Sequence, residues 1–452
     1  MVTYKQAVTY LEEIPFFTKK NTPEKTAEFY KYVTKHLPLP QRTKVIHVAG
    51  TNGKGSVCAY LQGILMEAGF ATAMFISPHL VEVRERFHLD RELVSEEEFA
   101  AAYEKIRQLV DAWRAEQDPE YHPAYFEFLF FMLFPMLQNH PVDYLILETG
   151  LGGRLDATNQ IPNPAVCVIT KIGLDHMQYL GNTIPEIAGE KAGIIKPGVP
   201  VVYLDARQQS STVIRQKASE LGATAYSVSK RDYAILSFDH KTIDFSYTSR
   251  YYGYVEVHLD TPAFYQMENA SLAIAAIGVL DEGIHITKEQ IQRGLWQTHW
   301  EGRMEEILPG VILDGGHNED GIQAFLETVR QDGGKGKRTL LFAAVSDKRA
   351  GQMVELLLQE DLFSNVRLVP LETSRRIETE QLLELTRDFQ RGTAGNAAEA
   401  AEIIAAEDLE TAFLDAVTHR GKDDRVYIVG SLYLAGQIKE LLSHAWREIT
   451  HD

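Results

Sequence analysis

Val45-Ile46-His47-Val48-Ala49-Gly50-Thr51-Asn52-Gly53-Lys54-Gly55-Ser56 is the stretch from which the fold of this chain can be read. Its first positions, apolar or aromatic, predict a buried strand. A glycine-rich turn follows, and a lysine and a serine stand where a helix should begin. Backbone N–H groups at such a turn converge on one small volume, and the helix N-terminus adds partial positive charge there. Lys54 brings a full positive charge for outer phosphates, and Ser56 a hydroxyl for phosphate or Mg²⁺. Val57, Tyr60, Leu61, Ile64, Leu65 and Ala68 recur at helical spacing, and Gly69 is a natural stop. The stretch predicts a nucleotide-phosphate cradle, with an ordinary glycine turn between strand and helix as the structural alternative. The common phosphate-loop pattern places Ser or Thr directly after the lysine, whereas here Gly55 intervenes.

The rest of the chain sets bounds on that reading. At 452 residues a single core is not expected, and two or three domains are. With 45% hydrophobic and 24% charged residues the composition is that of a globular protein with ample core. A formal net charge of −18 argues against nucleic acid or an anionic membrane as the main partner. An anionic substrate must then be drawn in by local cations such as Lys54. Cys58 and Cys167 are the only cysteines and sit in apolar stretches, so packed thiols in a reducing cytoplasm are expected. No basic start followed by an apolar run opens the chain, so no secretory signal is expected. The most apolar segment, 125–137, carries Glu127 and Pro135 and is too short for a bilayer, which predicts a buried helix.

Along the chain, helices are predicted at 3–13, 23–36, 95–117, 125–138 and 185–195, with strands at 70–76, 142–148, 165–170 and 199–204. Strands alternating with helices imply a mostly parallel sheet covered on both faces. Between 231 and 260 three runs (233–238, 242–247 and 252–259) read as an antiparallel meander. An alanine-rich helix carrying Asn269 spans 266–280, and 296–304 reads as a hinge. Beyond it, strands near 310–314, 339–345, 365–370 and 425–429 alternate with helices at 319–331, 349–359, 378–390, 409–419 and 432–446. That pattern predicts a smaller Rossmann-like α/β domain. The alanine- and glutamate-rich stretch 397–411 reads as solvated helix and linker.

Catalytic groups on a doubly wound sheet gather at the carboxyl ends of its strands. The phosphate loop, Ser77, Glu148 and His176 all fall there. A buried Glu148 requires a cation, and a magnesium ion shared with nucleotide phosphates would supply one. The alternative is a loop-anchoring glutamate. His176 in isolation reads as a hydrogen-bonded core histidine, but its place beside Asp175 after a strand favours function. Lys191, near a helix end, could do no more than complement the dipole. Asp314 and His317 flank Gly315-Gly316 at another strand end, with Asn318 as helix N-cap. Arg303 in the hinge could reach phosphates on closure.

Taken together these motifs resemble one family closely: folylpolyglutamate synthase and the bifunctional dihydrofolate synthase/folylpolyglutamate synthase of the Mur-ligase superfamily. The resemblance rests on Gly50-Thr51-Asn52-Gly53-Lys54-Gly55-Ser56, Ser77-Pro78-His79-Leu80 with Arg84-Glu85-Arg86, and the run from Glu148 to Asn159. It continues through Gly173-Leu174-Asp175-His176, Glu190-Lys191-Ala192-Gly193, Glu268-Asn269-Ala270, Asp314-Gly315-Gly316-His317-Asn318 and Gly430-Ser431-Leu432-Tyr433-Leu434. Gly55 between lysine and serine is the form this family uses.

The resemblance implies an ATP-binding P-loop domain over 1–297 and a C-terminal glutamate-ligase domain over 298–452. It implies ATP on residues 50–56 with Asn269 at adenine, Arg303 at the phosphates and Asp314 at the nucleotide. Mg²⁺ would be held by Ser77, Glu148 and His176, and Lys191 would be carbamylated to help hold a second ion. Lys54, Glu148, His176 and Lys191 would carry catalysis. Phe126, Phe128, Gly153, Arg154 and Asp156 would border a pterin, and His317 and Ser431 would lie near incoming L-glutamate. The implied reaction passes through an acyl phosphate of a folate or pteroate, in a cytoplasmic enzyme expected to be a monomer. Two departures fall on the closing domain: Glu301 stands where the family has proline, and Gly316 and Glu319 where it has Ala and Pro. The rival readings are a Mur-type ligase of a cell-wall precursor and a nucleotide switch. Ser77-Pro78-His79 and Gly152-Gly153-Arg154-Leu155-Asp156 argue against the first. Against the second, Thr170-Lys171-Ile172-Gly173 lacks the aspartate of a guanine-reading motif.

Overall fold

The computed structural model describes residues 2–14, 21–280, 284–346, 348–393 and 401–450. Its helices are α1 (Tyr4–Glu13), α2 (Pro23–His36), α3 (Lys54–Glu67), α4 (Glu96–Glu116), α5 (Tyr125–Asn139), α6 (Met177–Leu180), α7 (Ile184–Ala192) and α8 (Gln208–Glu220). They continue with α9 (Tyr265–Leu280), α10 (Lys288–Trp296), α11 (Glu319–Gln331), α12 (Ala350–Leu358), α13 (Thr379–Thr393), α14 (Leu409–Thr418) and α15 (Leu432–Thr450). The strands of the first lobe are β1 (Lys44–Ala49), β2 (Thr72–Phe75), β3 (Phe87–Leu89), β4 (Glu92–Leu93), β5 (Tyr144–Glu148), β6 (Val166–Ile169), β7 (Val201–Leu204) and β8 (Ala225–Val228). They form one sheet in the order β4-β3-β2-β5-β1-β6-β7-β8, parallel from β2 to β8.

β1 lies between β5 and β6, although the chain leaves it for the helix that precedes β2. Successive connections therefore leave the middle of the sheet in opposite directions, and the crevice at its carboxyl edge opens beside β1, β5 and β6. β1 is buried from Val45 onward, and α3, which follows it, is buried at every position from Ser56 to Leu65. An all-round apolar helix needs cover on every side. The sheet lies on one side of α3, and α9 and α10 close over the other. The opposite face of the sheet packs on α1, α2, α4 and α5, and α5 buries ten residues including four phenylalanines.

β9 (Tyr233–Phe238), β10 (Ile243–Ser249) and β11 (Gly253–Leu259) form the expected antiparallel meander in the order β11-β10-β9. A third sheet contains β12 (Glu305–Leu308), β13 (Val311–Leu313), β14 (Arg338–Phe342), β15 (Asn365–Leu368), β16 (Glu402–Ala405) and β17 (Arg425–Val429), in the order β12-β13-β17-β14-β15-β16. All its neighbours run parallel except β12 and β13. The stretch 397–411 needs correction. Residues 397–400 lie outside the described residues, and Glu402–Ala405 is an edge strand paired with β15 rather than helix and linker. Cys58 and Cys167 are free, buried thiols. Among the described residues no helix is long and apolar enough to cross a membrane.

Candidate active site

The phosphate loop begins where β1 ends and is tied to the loop after β6. Thr51 and Asn52 both donate their N–H to Lys171 O, at 2.9 and 3.2 Å, and Thr170 Oγ1 donates to Asn52 O at 2.7 Å. Gly53 caps α3 with φ +88°, a left-handed conformation, and a Cβ there would strike the Asn269 side-chain amide. Among the described residues the N–H groups of Gly53, Lys54, Gly55 and Ser56 have no protein acceptor. They are the orphan donors of a helix N-terminus, gathered at one point. Lys54 Nζ stands 3.3 Å from Thr51 O and 3.6 Å from Glu148 Oε1. Ser56 is buried, and its hydroxyl accepts from Gln266 Nε2 at 3.2 Å. Gln266 in turn accepts from Asn269 Nδ2 at 2.8 Å, so one chain of bonds ties α9 to the loop.

Glu148, at the end of β5, is 3% exposed and accepts from Ser77 N at 3.1 Å. Burial pushes its carboxyl pKa up, and Lys54 acts against that rise. Lys191 is also buried. Its Nζ donates to Gly50 O at 2.6 Å, and burial, reinforced by the Lys54 charge, lowers its pKa to about 7. His176, in a left-handed conformation at the start of α6, is lowered to about 4, chiefly by burial.

Asp175 gathers groups from both lobes. Lys348 forms a buried ion pair with Asp175 Oδ1, Asn318 Nδ2 donates to Oδ2 at 3.0 Å, and His317 Nε2 is 3.6 Å from Oδ2. Burial alone would raise the Asp175 pKa, but His317 and Lys348 outweigh it and hold the carboxyl well below its usual range. Among the described residues no three His, Cys, Asp or Glu side chains converge as a complete metal cage. A hard ion that keeps phosphate oxygens among its ligands needs only one or two carboxylates. The buried Glu148 beside Lys54, with Ser77 and His176 at neighbouring strand ends, fits that donor set. Lys191 as an amine is no ligand; it would become one only as a carbamate.

In the second lobe Asp314 is fully enclosed and accepts from Tyr265 OH at 2.6 Å, Met304 N at 3.0 Å and Gly316 N at 2.7 Å. Its carboxylate thus holds the hinge against β13. Arg303 donates to Gly302 O at 2.7 Å; burial raises the carboxyl pKa of Asp314, as it does that of Glu148, and the Arg303 charge acts against both rises. His317 Nδ1 donates to Gly315 O at 2.8 Å, which leaves Nε2 toward Asp175. Ser431 is buried and its Oγ accepts from Tyr433 N at 3.1 Å, so it starts α15. A cleft of about 500 Å³ opens between the lobes, lined by Tyr60, Phe238, Gln266, Trp300, Arg303 and Tyr427 among others. A smaller cavity of about 100 Å³ lies against Asp175, His176, Asn318, Lys348 and Arg349. Lys348 escaped the sequence reading because it lies 173 residues from its partner in a stretch without a phosphate-loop or metal pattern.

The glycine-rich loop after β5 divides the remaining residues. The Phe126 ring lies on Gly150, where any Cβ would collide with it. Arg154 reaches the surface and pairs with Glu190 at 2.8 Å. Gly153 packs against the end of α7, too close for a side chain. Asp156 is buried and accepts from Leu151 N, Thr158 N and Thr158 Oγ1, so it anchors the loop. Phe128 is 0% exposed, its ring against Tyr103 and His122 in the core, and it lines neither of the two cavities described above.

Two family models match the chain: the Mur ligase middle domain over residues 130–277, and the Mur ligase glutamate ligase domain over residues 302–432. The chain is 34% identical to the dihydrofolate synthase/folylpolyglutamate synthase of Bacillus subtilis, over 89% of this chain and 91% of that protein. It is 30% identical to the dihydrofolate synthetase of Saccharomyces cerevisiae, over 89% of this chain and 94% of that one. Among solved structures, Escherichia coli FolC in complex with DHPP and ADP superposes with a TM-score of 0.82 at 26% identity, covering 98% of each chain.

Proposed function

The chain belongs to the dihydrofolate synthase/folylpolyglutamate synthase family of Mur ligases, and on that premise we propose how its own residues carry out the family's reaction. It is an ATP-dependent carboxylate–amine ligase that adds L-glutamate to a folate. A carboxylate does not acylate an amine unaided, because the leaving group would be oxide. In the proposed course the folate carboxylate attacks the γ-phosphorus of ATP, ADP departs, and an acyl phosphate results. The glutamate amine attacks the acyl carbon, the nitrogen loses a proton, and phosphate leaves. Residues 1–297 act as the ATP-binding domain and 298–452 as the glutamate-ligase domain.

The observation that carries this reading is Lys54, held between Thr51 O and Glu148 at the mouth of four backbone donors that lack a protein acceptor. These donors take phosphate oxygens, and Lys54 offsets the charge that moves onto the β–γ bridge. Asn269 and Arg303 serve adenine and phosphates, and Asp314 orders the hinge beneath the nucleotide. Mg²⁺ would be held by Glu148 with Ser77 and His176, and when bound it neutralises charge on the transferring phosphoryl group. Phe126, Gly153 and Arg154 border the pterin side. His317 and Ser431, with Lys348 and Arg349 beside the smaller cavity, supply the donors and positive charge that a dicarboxylic amino acid requires. Closure of the second lobe keeps water from the acyl phosphate.

The test is ADP release with dihydropteroate or tetrahydrofolate, each with and without L-glutamate. Sustained release only when acid and amino acid are both present is the expected result, and the acid accepted decides which synthase activity the chain has. Equal release with neither would overturn the ligase reading in favour of a nucleotide switch. We further assign the enzyme to the cytoplasm as a monomer acting without nucleic acid or membrane, which light scattering tests through the mass of one chain.

A further inference from the structure

Asn318 is the point at which the second lobe touches the phosphate loop itself. Its Nδ2 donates to Asn52 Oδ1 and to Asp175 Oδ2, both at 3.0 Å. Its Oδ1 accepts from Asn52 Nδ2 at 3.0 Å and from Gly321 N at 2.9 Å. Every donor and lone pair of the amide is thus in use, and the residue is 5% exposed. Only the Gly321 bond belongs to the N-cap of α11, and serine, threonine or aspartate would make it as well. The other three bonds cross between lobes, and only a side chain with both a carbonyl and an NH₂ can make them together.

The far side of Asn52 is equally fixed, its N–H by Lys171 O and its carbonyl by Thr170 Oγ1. A side chain gripped in this way transmits displacement of Asn318 to the loop between Gly50 and Lys54. A neighbouring contact of the same seam reaches the loop at one remove, through Gly173, whose N–H donates to Thr51 Oγ1 at 3.0 Å. Asp320 pairs with Arg207 at 2.5 Å and sits on Gly173, where a Cβ would collide with its carboxylate.

We propose that Asn318 is a positioning residue for phosphoryl transfer: the paired Asn52–Asn318 amides make seating of the second lobe and the shape of the phosphate loop one event. Coupling of this kind is reciprocal, so nucleotide in the loop must also favour the seated lobe. Turnover enters this inference through the ligase reading above, whereas nucleotide affinity and lobe seating are read without it.

The experiment compares the full-length wild type with Asn318→Ser, Asn52→Ser, the double variant and Asp320→Asn. It follows ADP binding by calorimetry, lobe separation by small-angle X-ray scattering with saturating ADP, and kcat. Asn318→Ser keeps the cap of α11, so both lobes should stay folded, which circular dichroism checks. ADP affinity should fall about 10-fold and kcat about 10- to 100-fold, the cost of a slightly misplaced reacting group, with a larger radius of gyration. The double variant should be no worse than either single one, because the two amides act as a unit. Asp320→Asn should loosen the seam with a smaller loss of ADP affinity. Wild-type ADP affinity and scattering in Asn318→Ser would overturn the proposal. So would additive losses in the double variant, or equal losses in Asp320→Asn. Should Asn318→Ser not fold, Asn52→Ser decides alone: wild-type scattering with ADP refutes the coupling. Absence of turnover on every folate tried would sink the ligase reading and leave these binding results standing.

Discussion

Lys54 and Glu148 hold each other in a site that neither could occupy alone. The carboxylate is almost without solvent, and among the described residues it accepts a hydrogen bond from Ser77 N alone, so the cation 3.6 Å away offsets much of its burial cost. In Lys54→Ala, Glu148 has the option of taking up a proton, since burial already raises its pKa. The fold should therefore survive while turnover falls by at least about 100- to 1,000-fold, the scale of one lost electrostatic stabiliser. Circular dichroism together with ADP release checks both halves, and undiminished turnover would remove the loop from the mechanism. Lys191 invites a second prediction. With a folded pKa of about 7 against 10.5 for a free lysine, its amine is substantially neutral near pH 7–8 and able to take up CO₂. As pH rises through about 7 more of the folded protein holds the neutral amine. At constant dissolved CO₂, reactivation of a CO₂-depleted enzyme should therefore quicken across that pH. The unmodified amine also makes the unfolded chain bind more protons than the folded one between about pH 7 and 10.5, so stability should climb with pH in that window. Full activity in bicarbonate-free buffer, with the unmodified mass, would defeat the carbamate. At this scale the sequence was informative about groups at strand ends, because a buried carboxylate there demands a cation. It marked Asp175 only as the neighbour of His176, because the partners of that carboxylate come from residues 317, 318 and 348.

α5 shows what periodicity gives and what it withholds. A near-continuous apolar run predicts a buried helix, and Tyr125–Asn139 is one. Phe126 and Phe128 do not share a surface. Two positions apart on a helix of 3.6 residues per turn point to nearly opposite sides, so the two cannot border the same pocket, and contacts decide which faces the glycine-rich loop. Phe126 lies over Gly150, whereas Phe128 packs with Tyr103 and His122. Phe128→Ala should then cost about 3–5 kcal/mol of stability with little change in KM for the folate substrate. Phe126→Ala should raise that KM at a much smaller cost in stability. Denaturant melts and steady-state kinetics separate the two, and the reverse pattern would exchange their roles. Other elements were readable but unread, such as α10, whose Thr287 and Gln290 form a capping box. β16 was not readable. It follows alanine- and glutamate-rich sequence that favours helix, and only the exposed edge of β15 turns Glu402–Ala405 into a strand.

The whole molecule is two lobes meeting at a short hinge, a polar seam and an apolar contact in which Ala263 joins the core around Phe325 and Leu80 packs on that around Phe413. The hinge announced itself in sequence through the change from one run of alternating elements to the next. The seam did not, because it consists of pairs such as Arg207–Asp320 and Asp175–Lys348, more than a hundred residues apart. Lys348 and Asp175 each expose only 6% of their side chains, so deleting the lysine leaves a buried carboxylate to Asn318 and His317. Breaking a pair of this kind typically costs about 3–5 kcal/mol. In Lys348→Met that loss should fall on the contact between lobes and not on either core, because the clusters around Phe325 and Phe413 do not include Asp175. Calorimetry should then show the second lobe melting before the first, where the wild type should melt in one transition. Adding ADP, which in the proposed course draws on Lys54 in one lobe and Arg303 in the other, should bring the two transitions of the variant back together. It should do so by about 2.7 kcal/mol at a hundredfold excess over its dissociation constant. A single transition in Lys348→Met, merely shifted to lower temperature, would mean that the ion pair stabilises the molecule as one cooperative body. Closure would then need a source other than the seam at Asp175.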